Sequence, residues 1–113
     1  MTIDLPIFDK QGKRIDLAEY TRLMVSEDYF RVAVKTLPDG KLVSTVWLGI
    51  EHSHHWLDNP ATAGPTAIFE TMVFASETYG DSLSCSRYGT LEEAQIGHEA
   101  TVREWLSRIG PLH

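Results

Sequence analysis

Cysteine and long apolar segments are what this sequence has least of. Its 113 residues include one cysteine, Cys85, so an internal disulfide is excluded and a reducing compartment is the default. No apolar run approaches the roughly 20 residues that cross a bilayer. The first residues carry Asp4 and no basic stretch, unlike a signal peptide. We therefore expect a cytoplasmic protein without a membrane partner, folded as one domain over residues 1–113.

Basic residues are missing from the middle of the chain. Between Leu42 and Ser86 there is no lysine or arginine, whereas the same interval holds five acids: Glu51, Asp58, Glu70, Glu77 and Asp81. Residues 42–113 contain three bases and nine acids, which accounts for the whole net charge of −6. Such a surface repels phosphate backbones, so we expect no direct nucleic-acid binding. It suits a basic protein partner or a cation, although solubility is the simpler interpretation.

The common catalytic and nucleotide-binding motifs are also absent. The chain has no GxGxxG, no P-loop, no HExxH and no nucleophile elbow. Cys85 falls on a predicted strand two residues after Leu83, and this pattern favours a small buried side chain over a reactive thiol. The neighbouring Arg87 is compatible with the reactive alternative. We expect no enzymatic activity, no catalytic residues and no cofactor.

Helical periodicity appears at both ends of the chain. Asp16 is a predicted N-cap with Glu19 three residues later, which indicates a short helix ending near Ser26. Thr90 and Glu93 form the same pattern before a longer helix. Its apolar stripe recurs at three- and four-residue steps and consists of Leu91, Ala94, His98, Thr101 or Val102, Trp105 and Ile109.

Strand periodicity fills the middle. Residues 29–36 and 41–50 flank Pro38-Asp39-Gly40, which predicts a hairpin. Residues 67–75 and 83–88 are two further predicted strands; the small side chains of the last place it at an edge or against closely packed backbone. The sequence therefore predicts an α+β fold. It comprises an antiparallel sheet of about four strands, with a short N-terminal helix and a long C-terminal helix packed on one face.

A histidine cluster lies in the predicted loop over residues 51–66. Imidazole with nearby carboxylates is a donor set for Zn²⁺ or Ni²⁺, but no second histidine pair at a recognised spacing accompanies it. A polar loop is therefore the favoured interpretation, and a protein-contact tip built around a tryptophan is another. The candidate binding residues of this loop are Glu51, His52, His54, His55, Trp56 and Asp58.

Two polar residues interrupt otherwise apolar patterns. Glu70 alternates with Ile68, Met72 and Phe74, and His98 lies on the stripe of the last helix. If that helix covers this face, Glu70 and His98 meet beneath it, as a structural pair or as an acid/base site. We favour the structural pair. The opposite face assignment, with Phe69 and its alternating neighbours inward, would place Glu70 on the surface.

Five parts of the sequence form a combined pattern: VSTVWLGI (43–50), His52, IFETMVF (68–74), RYGTLEEA (87–94) and GHE (97–99). Together they resemble a group of small, uncharacterised proteins encoded by bacteriophages and prophages, many in actinobacterial hosts. The resemblance covers roughly residues 29–105 and implies an accessory protein acting inside the host cell. His52, Glu70 and His98 match positions in the motif segments of the group, whereas His54 and His55 do not.

Two functional hypotheses follow. The first is a non-enzymatic accessory protein that binds and modulates a host protein, inhibition of host defence being one such role. Under this hypothesis the acidic middle region steers the encounter and Trp56 anchors the contact. The alternative is a small-molecule or metal-binding module that uses His52, Glu70 and His98 or the loop histidines.

Overall fold

The structure is a computed structural model, and it describes residues 6–51, 65–76 and 81–109. The fold is α+β, as predicted, with four antiparallel strands in the order β1-β2-β3-β4. The elements in chain order are α1 (Leu17–Met24), α2 (Glu27–Phe30), β1 (Arg31–Thr36), β2 (Leu42–Trp47), β3 (Phe69–Phe74), β4 (Ser82–Tyr88) and α3 (Leu91–Ile109).

The hairpin of β1 and β2 is present, but its first strand starts later than predicted. Tyr29 and Phe30 belong to the short helix α2, because the Ser26 carbonyl accepts hydrogen bonds from both of their amides at 3.0 Å. Arg31 then takes an extended conformation and begins β1. At the other end the predicted turn closes the hairpin around Gly40, which has a φ of 91°.

The sheet has a face that α3 covers, the helix-facing face, and an open face. Strand register aligns Trp47 with Phe69, Thr45 with Thr71, and Val43 with Val73, all on the helix-facing face. Because α3 presents one buried residue per turn, its residues at four-residue steps contact successive cross-strand pairs of the sheet. These three buried residues of α3 are Ala94, His98 and Val102.

Two apolar clusters lie between α3 and the sheet. One contains Trp47, Phe69 and Ala94 together with Phe8 and Ile68. The other is built on Val43, Val73 and Val102, and the half-buried Trp105 packs against it. The polar residue His98 lies between the two apolar clusters. Hence the stripe predicted for the last helix is the surface that closes the core.

The N-terminus of α3 carries the predicted cap. The Thr90 hydroxyl accepts a hydrogen bond from the Glu93 amide and donates one to the Glu93 carboxylate, both at 3.1 Å. Asp16 caps α1 in the same manner, accepting from the Glu19 amide at 2.8 Å. These caps satisfy amides that have no partner within the helix.

Replacing Thr90 by alanine is expected to lower the free energy of unfolding by about 1 kcal/mol, because the first turn of α3 loses its capping oxygen. Urea denaturation measures the change. Thr21→Ala is the matched control, because Thr21 lies on the exposed surface of α1 and caps nothing. We expect that variant to stay within about 0.5 kcal/mol of the parent. Equal losses in the two variants would contradict the capping role of Thr90.

Candidate functional site

Five of the predicted site residues lie outside the described residues: His52, His54, His55, Trp56 and Asp58. The placement of Glu51, Glu70 and His98 is described, and the three residues lie in three different environments.

Glu51 is an internal residue, whereas the sequence suggested a surface acid of the loop. Its exposed fraction is 2%. One carboxylate oxygen accepts two hydrogen bonds from Thr66, from the amide at 2.5 Å and from the hydroxyl at 2.9 Å. The Glu51 amide in turn donates to the Pro6 carbonyl. Glu51 therefore joins three chain segments and is not available to steer a partner.

Glu70 and His98 do not meet. Glu70 lies on the open face, since its neighbour Thr71 points toward α3 and successive side chains of a strand alternate. His98 lies on the other side of the sheet, under α3. The assignment that placed Glu70 beneath the last helix is therefore wrong, and the opposite assignment is the one that the fold adopts. The pair is neither a buried ion pair nor an acid/base site.

On the open face, Glu70 pairs across strands with Arg87. The Arg87 Nε donates to a Glu70 carboxylate oxygen at 3.0 Å, and the Cys85 thiol lies 3.4 Å from the same oxygen. Cys85 is exposed, which corrects the expectation of a buried side chain. Partial burial, and then the Glu70 carboxylate, raise the pKa of the thiol above its ordinary value. A raised pKa leaves little thiolate, so the site does not suit nucleophilic chemistry.

Under α3, His98 ends a short chain of buried hydrogen bonds. Its Nδ1 lies 2.8 Å from the Thr45 hydroxyl, which lies 2.5 Å from the Thr71 hydroxyl. All three side chains are buried. Burial lowers the pKa of His98 below its ordinary value near 6.5, and nearby Glu99 opposes this in part. The neutral imidazole therefore suits this position, where the hydroxyls satisfy its ring nitrogen.

This burial predicts a pH-dependent stability. Because the folded state lowers the pKa of His98, the unfolded chain binds the proton more readily. The contribution of His98 to the free energy of unfolding is therefore fully present above pH 6.5, and it decreases as the pH falls below that value. One titrating group changes the free energy of unfolding by at most about 1.4 kcal/mol per pH unit.

Urea denaturation between pH 5 and pH 8 tests this, with His98→Gln as the comparison. Glutamine keeps a group that can hydrogen-bond to Thr45 but does not titrate. The decrease in stability below pH 6.5 is expected to be smaller in the variant by the contribution of His98. Identical pH profiles for the two proteins would assign the acid sensitivity to other groups.

Two adjoining hollows open beside the uncovered part of the sheet. The first, of about 210 Å³, is lined by Tyr20, Met24, Phe30, Val46, Trp47 and Leu48. The second, of about 190 Å³, is lined by Phe30, Arg31, Ser44, Val46, Glu70, Met72 and Phe74. They share Phe30 and Val46. We call the two together the apolar groove.

The sequence did not indicate this groove. Its first wall comes from α1, which has no buried residue and leaves Met24 44% exposed. The apolar residues of α1 were the one sequence feature that could have indicated the groove, because the helix leaves them unburied. The second wall comes from the alternation set of Glu70, which the sequence placed under α3.

Within residues 6–51, 65–76 and 81–109, no three histidine, cysteine, aspartate or glutamate side chains come together as a metal site. Over the same residues no helix is long and apolar enough to cross a membrane. The described surface has an apolar groove bordered by the ion pairs Glu27–Arg31 and Glu70–Arg87.

Comparison with protein-family models, with curated proteins and with solved structures finds no match to this chain.

Proposed function

We propose that this protein is a non-enzymatic binding module whose partner is a host protein and whose contact surface is the apolar groove. The observation that carries the proposal is the apolar lining of the first hollow, with Met24 exposed at its edge. Exposed apolar surface with a polar rim is a feature that often marks an interaction site. The host as the source of the partner rests on the resemblance to phage-encoded proteins, and an inhibitor of host defence is one form of such a module.

The size and chemistry of the groove indicate what it would take. Each hollow has about the volume of one large apolar side chain, so two such side chains of a partner would fill the groove. Contacts of this kind act as anchors that dominate the binding energy. The charges nearby are already paired, Glu27 with Arg31 and Glu70 with Arg87. Affinity would therefore depend on apolar burial, and net charge would act mainly on the rate of encounter.

Three variants test the proposal in affinity capture from host lysate, followed by mass spectrometry. Met24→Asp introduces a charge at the edge of the first hollow, at a site exposed enough for the fold to accept it. It is expected to abolish enrichment of the specific partner. Ile96→Asp is the matched control, because Ile96 is an exposed apolar residue of α3 away from the groove. It should leave capture unchanged.

The third variant, Trp56→Ala, addresses the alternative surface that the sequence suggests in the loop. If capture survives Met24→Asp but is lost in Trp56→Ala with an unchanged melting temperature, the groove is not the contact surface. If the Met24→Asp and Ile96→Asp variants lose capture equally, the loss reflects surface charge and the groove has no specific role. Binding of the purified partner should also protect the groove in hydrogen exchange.

A further inference from the structure

The two edges of the sheet are built differently. The outer strand β1 carries two charged residues, Arg31 and Lys35, among its six. Charged residues are a feature that natural sheets use to keep an edge from pairing with other chains. The strand at the other edge, β4, has the sequence SLSCSRY and is exposed along most of its length. Its one charge, Arg87, is paired with Glu70 of the neighbouring strand.

The described part of the chain leaves the outer side of β4 open to another strand. Among the described residues, no strand pairs with β4 on the side away from β3. Every second residue of an edge strand directs its amide and carbonyl outward, and such groups form a template for main-chain pairing. Paired strands lie about 4.8 Å apart, and the three serines and the cysteine of β4 are small enough not to hinder that approach.

We propose that β4 pairs antiparallel with β4 of a second copy of this chain, about a two-fold axis that passes through Cys85. This inference involves the edge opposite β1 and is independent of the proposed function. Cys85 is the middle residue of the seven in β4, so an axis through it lies at the centre of the strand. Two four-stranded sheets would then join into one of eight strands.

The pattern of β4 is complementary to itself in this register. A two-fold axis at Cys85 places each Ser84 opposite Ser86 of the other copy, and each Arg87 opposite Leu83. The two arginines are thus not opposed, and the strand contains no acid. Opposed like charges are what destabilises cross-strand pairs. The irregular register near Leu83 lies toward the strand end and leaves the central Ser84–Ser86 run regular.

Light scattering coupled to size-exclusion chromatography, in the presence of a reducing agent, tests the association. The wild-type protein is expected to shift from monomer to twice the monomer mass as concentration rises. A doubly acidic variant, Ser84→Glu with Ser86→Glu, places like charges opposite one another and should remain monomeric. The doubly basic variant, Ser84→Lys with Ser86→Lys, should behave in the same way. Circular dichroism verifies that both are folded.

The decisive sample is a one-to-one mixture of the acidic and basic variants. In the proposed register each glutamate faces a lysine, so the mixture should regain the doubled mass. A wild-type protein that stays monomeric at every concentration would overturn the proposal. So would dimers that persist in both variants, or a mixture that fails to associate. In the wild-type dimer, mild oxidation should link Cys85 to Cys85, whereas a Cys85→Ser, Ser107→Cys control should not cross-link.

Discussion

Replacing Trp47 by alanine is expected to lower the free energy of unfolding by about 3–5 kcal/mol. Trp47 is 3% exposed and is the centre of the first apolar cluster. Tyr29 meets its ring edge-on with centroids 5.0 Å apart, and Tyr20 lies at 5.7 Å. Its Nε1 donates a hydrogen bond to the Phe8 carbonyl at 2.9 Å. Truncation would therefore open a cavity and leave a buried carbonyl without its donor.

Urea denaturation followed by circular dichroism measures the loss, and Trp105→Ala provides the comparison. Trp105 is only half-buried, packs at the border of the second cluster and has the Arg108 guanidinium 4.2 Å from its ring centroid. Its truncation should cost clearly less than that of Trp47. Equal losses in the two variants would mean that the second cluster contributes as much to stability as the first.

Replacing Gly49 by alanine is expected to cost about 2–5 kcal/mol, from two separate causes. Gly49 has a φ of 80°, a conformation that costs a residue with a Cβ roughly 1–2 kcal/mol. A Cβ at this position would also lie 2.7 Å from the Tyr20 ring and 2.8 Å from the Trp47 ring. Such overpacking typically costs about 1–3 kcal/mol more. Hydrogen bonds from Phe8 and to Ile68 hold the Gly49 backbone in place.

Gly40→Ala separates the two causes. Gly40 has a similar φ of 91°, but a Cβ there would have no neighbour within 4 Å. Its replacement should therefore cost only the conformational part. The difference between the two variants measures how tightly Tyr20 packs over Gly49. No difference would mean that Tyr20 moves aside without cost, and that α1 is held less firmly than its contacts indicate.

The last helix shows how much of the fold the sequence determines. A cap and a stripe at three- and four-residue steps predicted α3, and the structure places Ala94, His98 and Val102 of that stripe in the core. Local sequence signals were sufficient here because the apolar stripe of a helix recurs within one continuous segment. The start of β1 was less predictable. Phe30 continues the strand alternation, yet hydrogen bonds to Ser26 place it in a helical turn.

The face of β3 could not be decided from its own residues. Both alternation sets are largely apolar: Met72 and Phe74 accompany Glu70, whereas Phe69 and Val73 accompany Thr71. Pairing decides the face, because Thr71 lies beside Thr45 and both hydroxyls lie in the chain that ends at His98. A partner on another strand, far along the chain, is information that alternation within one segment does not contain. The sequence did not predict the apolar groove for the same reason, because the face of Glu70, Met72 and Phe74 forms its second wall.

The position of α3 after all four strands of the sheet has a consequence for synthesis on the ribosome. The strands follow one another in the sheet in the order in which they leave the exit tunnel, so each can pair with its predecessor as it emerges. The helix-facing side chains, from Val43 to Phe69, have no cover until α3 arrives. A nascent chain that stops before Leu91 therefore exposes the apolar side chains of the helix-facing face, a kind of surface that is prone to aggregation. The core between the sheet and α3 can close only after α3 has left the exit tunnel.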